Sequence, residues 1–296
     1  MCRWLAYSGS PILLEELLYK PVHSLIDQSQ HSRMGVETTN GDGFGIGWYG
    51  IESADAVGTS IYPSALPETR HGEMPVLFRG VGPAWGDLNL RELARSTSSG
   101  LFLAHIRAST GTPVQQSNCH PFRYDRWLWV HNGAISEFST IKRDLVMAVD
   151  PELYPSMAGS TDSEVMFYLA LTFGLREDPV AAVERMVGFV EAVARRHGVE
   201  NPMQMTVATT DGSRLWGFRY STIGQSRTLY VSTAVSTLRE LYPDNPVFET
   251  LSDETRIVVS EPLGDLEGAW VPVPESSYGV VQDGDDTLGS FQPREP

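Results

Sequence analysis

Cysteine is scarce in this sequence: two residues in 296, Cys2 and Cys119. A secreted disulfide scaffold needs more, so the count favours a reducing compartment. Basic charge is also short, with 22 Lys and Arg against 37 Asp and Glu, a net charge of −15 and a pI near 4.8. Such a surface repels phosphate backbones and anionic lipid, which argues against nucleic acid and membranes as partners. No run approaches 18 consecutive apolar residues, and MCRWLAYSGS has no basic segment leading into an apolar stretch. Neither a membrane span nor a secretion signal is expected, and the protein is expected to be cytoplasmic. Internal repeats, low-complexity tracts and linkers are missing as well.

What is present suffices for a large core. Apolar residues make up 41% of the chain and the 27 glycines bring this to about half, an ordinary globular figure. Strand-like segments come first: 2–7, 44–49, 76–79, 101–107 and 127–131. Helical segments are predicted at 13–19, 87–96, 136–149, 161–173 and 179–197, the last with apolar residues close to a 3.6 period. Short strands return at 204–209, 214–220, 229–233, 256–260 and 270–273. Strands at both ends with helices between them predict two packed sheets flanked by helices, in one domain over 2–281. Residues 282–296, with DGDD and two prolines, read as a loosely packed tail.

Several segments carry candidate chemistry. Cys2 follows an initiator methionine that is normally trimmed before a small residue. Trimming would leave a thiol beside a free α-amine, whose pKa near 7.7–8.0 suits it as the base for its own side chain. Arg107, in HIRASTG at the end of a strand, has a planar fork suited to a carboxylate, although strand-end arginines are usually solvated. His131-Asn132-Gly133 ends the next strand. It reads as a turn, or as an oxyanion hole formed by the Asn132 amide and the Gly133 N–H. Thr161 with Glu164 forms a capping box, and Asp162 beside them is free to meet an ammonium group. The glycines of NGDGFGIG lack the strand–helix setting of a dinucleotide site and instead suggest a strand closely approached by another backbone. Cys119-His120 with Cys2 and His131 lacks zinc-site spacing, so no metal is expected.

In order along the chain, Cys2, NGDGFGIGWY, HIRAST, HNG and TDSE resemble the class II glutamine amidotransferases. These belong to the N-terminal-nucleophile hydrolases, and the likeness is greatest to the stand-alone, YafJ-like type. Related stand-alone proteins act in ergothioneine synthesis and in fungal glutathione breakdown. The resemblance implies a four-layer αββα sandwich of the α+β class, needing no metal or organic cofactor. It implies Cys2 as nucleophile, Asn132 and Gly133 as oxyanion hole, Arg107 and Asp162 as holders of the substrate α-carboxylate and α-ammonium, and Thr110 as part of the glutamyl pocket. Ala108 stands where the larger amidotransferases carry Trp, and no ammonia-consuming synthase domain is recognisable. The expected activity is therefore cleavage of the γ-amide of glutamine or a γ-glutamyl compound through a thioester. The alternatives are a glutaminase subunit serving a separate synthase or peptidase partner, and a non-catalytic glutamyl-binding subunit.

Overall fold

A computed structural model of the chain describes residues 2–34, 39–50, 74–109, 111–244, 246–282 and 286–296. In chain order the first half contains β1 (Arg3–Leu13), α1 (Glu15–Leu18), α2 (Leu25–His31), β2 (Phe44–Trp48), β3 (Val76–Gly80), α3 (Leu88–Ser96), β4 (Ser98–Ile106), β5 (Phe122–Tyr124) and β6 (Trp127–Ile135). Three helices follow, α4 (Phe138–Met147), α5 (Asp162–Thr172) and α6 (Pro179–Arg196), then β7 (Met203–Thr210), β8 (Leu215–Ser221) and β9 (Tyr230–Ser232). The chain closes with α7 (Val235–Leu241), α8 (Pro246–Thr250), β10 (Arg256–Val259), β11 (Trp270–Pro272), β12 (Ser277–Val281) and β13 (Thr287–Ser290).

The described strands form two antiparallel sheets. One runs β11-β9-β10-β1-β4-β2-β3 and the other β13-β12-β8-β7-β6-β5. Strand side chains alternate between two faces, so each sheet feeds two layers. From β1, Trp4 and Ala6 point inward and meet Leu128 and Val130 of β6 between the sheets. Leu5 and Tyr7 point outward and pack with Leu14, Leu18 and Leu90, beneath the short helices of that side. Across the molecule, Trp127 and Trp129 turn away from the inter-sheet layer towards the long helices, where Trp129 stacks on Phe167 at 5.7 Å. Two sheets between two helical layers make the αββα arrangement of the α+β class.

The long helices explain one placement that matters below. Helix α5 is buried from Ser163 to Leu171 because it is wedged between the second sheet and α4 and α6. A helix buried on all sides reads as an almost continuous apolar run, as this one does. Its first turn is fixed by Thr161, whose hydroxyl accepts from Glu164 N at 3.2 Å. The predicted reciprocal half of the capping box is not made. The Glu164 carboxylate instead accepts from Ala158 N at 2.9 Å and Gly159 N at 2.7 Å. Burial raises the Glu164 pKa, against the pull of those two N–H groups.

The glycine strand is closely approached, as its pattern predicts. On β2, a Cβ at Gly45 would lie 2.2 Å from the His120 carbonyl oxygen, and one at Gly47 would lie 2.8 Å from Leu128. These glycines let the 119–128 segment press against the first sheet.

Three expectations need correcting. First, His131-Asn132-Gly133 is not a turn, because β6 runs on to Ile135 and pairs Asn132 with Thr206 and Gly133 with Met205. Second, the helix predicted at 13–19 shrinks to Glu15–Leu18, since β1 continues past Ser8 through an irregular register to Leu13. Third, the segment from 286 onward is not loose. Thr287–Ser290 pair with β12, and Phe291 is buried against Phe218 and Tyr220. Arg294 N then donates to the Glu184 carbonyl at 3.1 Å. One buried aromatic and a strand pairing outweigh the polar composition that suggested a tail.

Candidate active site

Cys2 is the residue before β1, on the same inward face as Trp4. The Trp4 indole spans the inter-sheet layer and donates to Thr206 Oγ1 at 3.2 Å. Thr206 is paired with Asn132 across β6 and β7, so the start of β1 and the end of β6 meet at one end of the sandwich. There a cavity of about 390 Å³ is lined by Cys2, Arg107, Gly133 and Asp162. Four of the six predicted site residues share this wall. Asn132 is buried at 4% exposure and is not part of the lining, while Thr110 lies outside the described residues.

The Cys2 thiol is held by a backbone unit that the sequence did not single out. Ala108 N donates to Sγ at 3.5 Å, and Sγ donates to the Ala108 carbonyl at 3.5 Å. Burial pushes the thiol pKa up from its ordinary value. The Ala108 contact and the Arg107 charge oppose this, and the Asp162 charge adds to it. The group therefore rests as a thiol at neutral pH and needs a base to become a nucleophile.

Arg107 directly follows β4 and is buried at 3% exposure. It donates to the Asp42 carbonyl at 3.3 Å, Ser109 Oγ at 3.1 Å and Thr112 Oγ1 at 2.7 Å. All three acceptors are neutral, and among the described residues no carboxylate pairs with it. Asp42 turns its own carboxylate to Ser109 N at 2.7 Å, which pins the loop carrying Thr112. Asp162 opens α5 and accepts from Ile135 N and Ser163 N, both at 2.8 Å, so it is also satisfied only by neutral donors. One buried cation and one carboxylate, each lacking an ionic partner among the described residues, thus face the same cavity as the thiol.

Gly133 is forced by space. A Cβ there would stand 1.8 Å from the Gln204 carbonyl oxygen, at a φ of +156°. Three buried histidines flank the site. His105 Nε2 donates to the His131 carbonyl at 3.2 Å, and His131 Nδ1 meets Ser163 Oγ at 2.7 Å. Burial drives the His105 pKa down to about 3 and lowers those of His120 and His131, so all three are neutral near pH 7.

Sequence reasoning missed Asp42, Ser109, Thr112 and His120. Asp42 was visible inside the glycine motif, and His120 was weighed only as a zinc ligand. Among the described residues no group of His, Cys, Asp or Glu side chains is placed to hold a metal ion.

An αββα sandwich with a near-terminal cysteine, Arg107 and Asp162 around one cavity is the architecture expected of an N-terminal-nucleophile amidohydrolase. Comparison with known proteins agrees: the family model for class II glutamine amidotransferases matches residues 20–295, and the chain belongs to that family. It is an enzyme of the amidohydrolase type. A Saccharomyces cerevisiae protein described as a probable glutamine amidotransferase is 34% identical over 308 residues, covering 95% of this chain and 82% of its own. A gamma-glutamyl-hercynylcysteine sulfoxide hydrolase of Mycolicibacterium smegmatis is 26% identical, covering 88% of this chain and 96% of its own. Among solved structures, a glutamine aminotransferase class-II domain protein from Silicibacter pomeroyi superposes with a TM-score of 0.70 at 30% identity, covering 99% of this chain and all of the other. Glutamine phosphoribosylpyrophosphate amidotransferase from B. subtilis shares the fold, with a TM-score of 0.62 at 14% identity over 99% of this chain and 50% of its own. No helix among the described residues is long and apolar enough to cross a membrane.

Proposed function

We propose that the protein hydrolyses the γ-amide of a γ-glutamyl compound through a thioester on Cys2. The observation that carries this reading is the pairing of charges in the cavity. The buried Arg107 guanidinium with only neutral partners calls for an anion, and the Asp162 carboxylate for a cation. An α-amino acid end supplies both, placing its side-chain amide towards Cys2. Leaving either charge buried and unpaired is costly, so the substrate completes the site.

In this reading Met1, which precedes Cys2 in the chain, is removed and the freed amine of Cys2 takes the thiol proton. The raised thiol pKa makes such a base necessary. Sulfur attacks the γ-carbonyl, and the oxyanion is stabilised by donors at Asn132 and Gly133, each worth about 10²–10³ in rate. The amine returns its proton to the leaving nitrogen, and water then clears the acyl group. The name of the mycobacterial relative supports hydrolysis of a γ-glutamyl bond, and the description of the yeast relative supports a second reading, delivery of ammonia to a separate partner.

The experiment is glutamate and ammonia release from glutamine and from several γ-glutamyl amides, using the protein with Met1 removed. Hydrolysis of larger γ-glutamyl amides without a partner is expected. Turnover of glutamine alone, rising sharply when a co-purifying protein is restored, would favour the second reading.

A further inference from the structure

With Met1 removed, Cys2 must present a thiol and an amine in fixed directions while joined to the chain through its carbonyl carbon alone. Chain ends are poorly ordered unless something ties them down. Strand pairing does not reach Cys2, because the ladder of β1 with β4 opens at Arg3 opposite Ile106. The thiol meets Ala108 only through sulfur contacts at 3.5 Å, which are weak. The firmer contact is on the Cys2 carbonyl, which accepts from Arg3 Nη1 at 2.9 Å. Register explains how Arg3 is held there. Strand β10 runs antiparallel to β1 with Val259 opposite Leu5, and Ser260 N donates to the Trp4 carbonyl at 3.1 Å. One residue further, Arg3 meets Glu261 on the outward face, both of them buried, and Nε donates to Glu261 Oε2 at 2.5 Å. Glu261 is braced in turn. It lies 2.6 Å from His23 Nε2 and accepts from Arg33 N at 2.8 Å and Met34 N at 3.2 Å. Arg3 Nη2 donates to Ser32 Oγ and the Met34 carbonyl. Burial acts to raise the Glu261 pKa, and the His23, Arg33 and Arg3 contacts outweigh it, so the carboxylate is ionised at neutral pH.

Building on the thioester reading, we infer that Arg3, braced by Glu261, is the positioning residue that aims the mature N-terminal cysteine. Rotation about the bond between Cα and the carbonyl carbon of Cys2 swings the thiol and the amine together. A guanidinium bonded to the carbonyl oxygen restrains the peptide plane about which they turn. The planar fork allows this, because one nitrogen meets the carboxylate while another meets the carbonyl. Neither Arg3 nor Glu261 lines the cavity, so the pair acts on the reaction through Cys2 and not through the substrate. A buried ion pair adds little stability over apolar residues of similar volume. Orientation of the residue it grips accounts for this one better than stability does.

Two variants separate this role from a structural one. Arg3→Met combined with Glu261→Gln removes both charges together, so neither is stranded. Arg3→Lys keeps a charge opposite Glu261 without the fork. With Met1 removed, three quantities are measured: the urea midpoint, its rise on adding glutamate, and kcat for glutamate release from glutamine and from γ-glutamyl amides. Both variants should unfold cooperatively and keep the glutamate increment, because Arg107 and Asp162 are untouched. In the double variant kcat should fall about 100-fold, the effect of misplacing a reacting group by about 1 Å. Arg3→Lys should lose less. Loss of the folding transition in both variants, or a glutamate increment that disappears in step with kcat, would mark a structural role and overturn the assignment. Wild-type kcat in the double variant would overturn it as well. A wild-type protein that neither releases glutamate nor forms an adduct on Cys2 would instead overturn the thioester reading on which it rests.

Discussion

Replacing Arg107 by methionine should damage function and stability to very different extents. The guanidinium is buried, and its three described partners are neutral oxygens at 3.3, 3.1 and 2.7 Å. Folding therefore bears the desolvation of a charge without recovering it from an anion. Hydrophobic replacements of buried ionic groups are often neutral or stabilising by about 1–4 kcal/mol. Here the lost hydrogen bonds offset part of that, so the net change in unfolding free energy should stay within about 1 kcal/mol of zero. Substrate binding loses a charge-assisted bond to the α-carboxylate, about 1.5–3 kcal/mol, or roughly 10- to 150-fold in kcat/KM. Urea denaturation with and without glutamate gives a second reading of the same contact. A ligand at 100 times its Kd stabilises by about 2.7 kcal/mol, and this increment should largely vanish in Arg107→Met. Wild-type-like kinetics, or an undiminished glutamate increment, would refute the assignment of Arg107 to the carboxylate.

Retention of Met1 and the Cys2→Ala change should each abolish turnover while leaving the urea midpoint unchanged, whereas Cys119→Ala should remain active; a fully active preparation with Met1 uniformly present by intact mass would remove the amine as base. Gly45→Ala drives a methyl into the His120 carbonyl and should cost about 1–3 kcal/mol in urea unfolding, together with a loss of activity. The buried histidines predict sensitivity to acid. Their folded pKa values lie below the unfolded value near 6.5, so the stability they confer is present above that pH and is lost as pH falls towards the folded values. Each contributes a slope of up to about 1.4 kcal/mol per pH unit, and His120→Phe should flatten the measured dependence between pH 6 and 5 by about one proton.

The strands and long helices were legible because their patterns are local. LFLAHIR and WLWVH are apolar enough to be strands in almost any setting, and α6 has its helical period written through it. The extent of β6 was not legible. An Asn-Gly pair favours a turn locally, and only the β7 partner, distant in sequence, keeps it extended. The terminal segment misled for a similar reason, since Phe291 finds its pocket on β8, some seventy positions earlier. At the site, residue types with a strong prior association with chemistry were visible, namely Cys2, Arg107 and Asp162. The residues that hold them were not. Asp42, Thr112 and the Ala108 backbone act through contacts that no spacing encodes.

The crowding around β2 bears on how sequences of this kind diverge. The His120 carbonyl lies where a Cβ on Gly45 would go, and Leu128 lies where one on Gly47 would go. Selection at these positions therefore acts on the closeness of two layers, whatever chemistry the cavity performs. A descendant that lost its nucleophile and was kept for binding or regulation would still need those glycines to fold. The glycine-rich stretch is thus a marker of ancestry and architecture. In the proposed mechanism it is the thiol and the two charges around it that would report whether a given descendant still turns over a substrate.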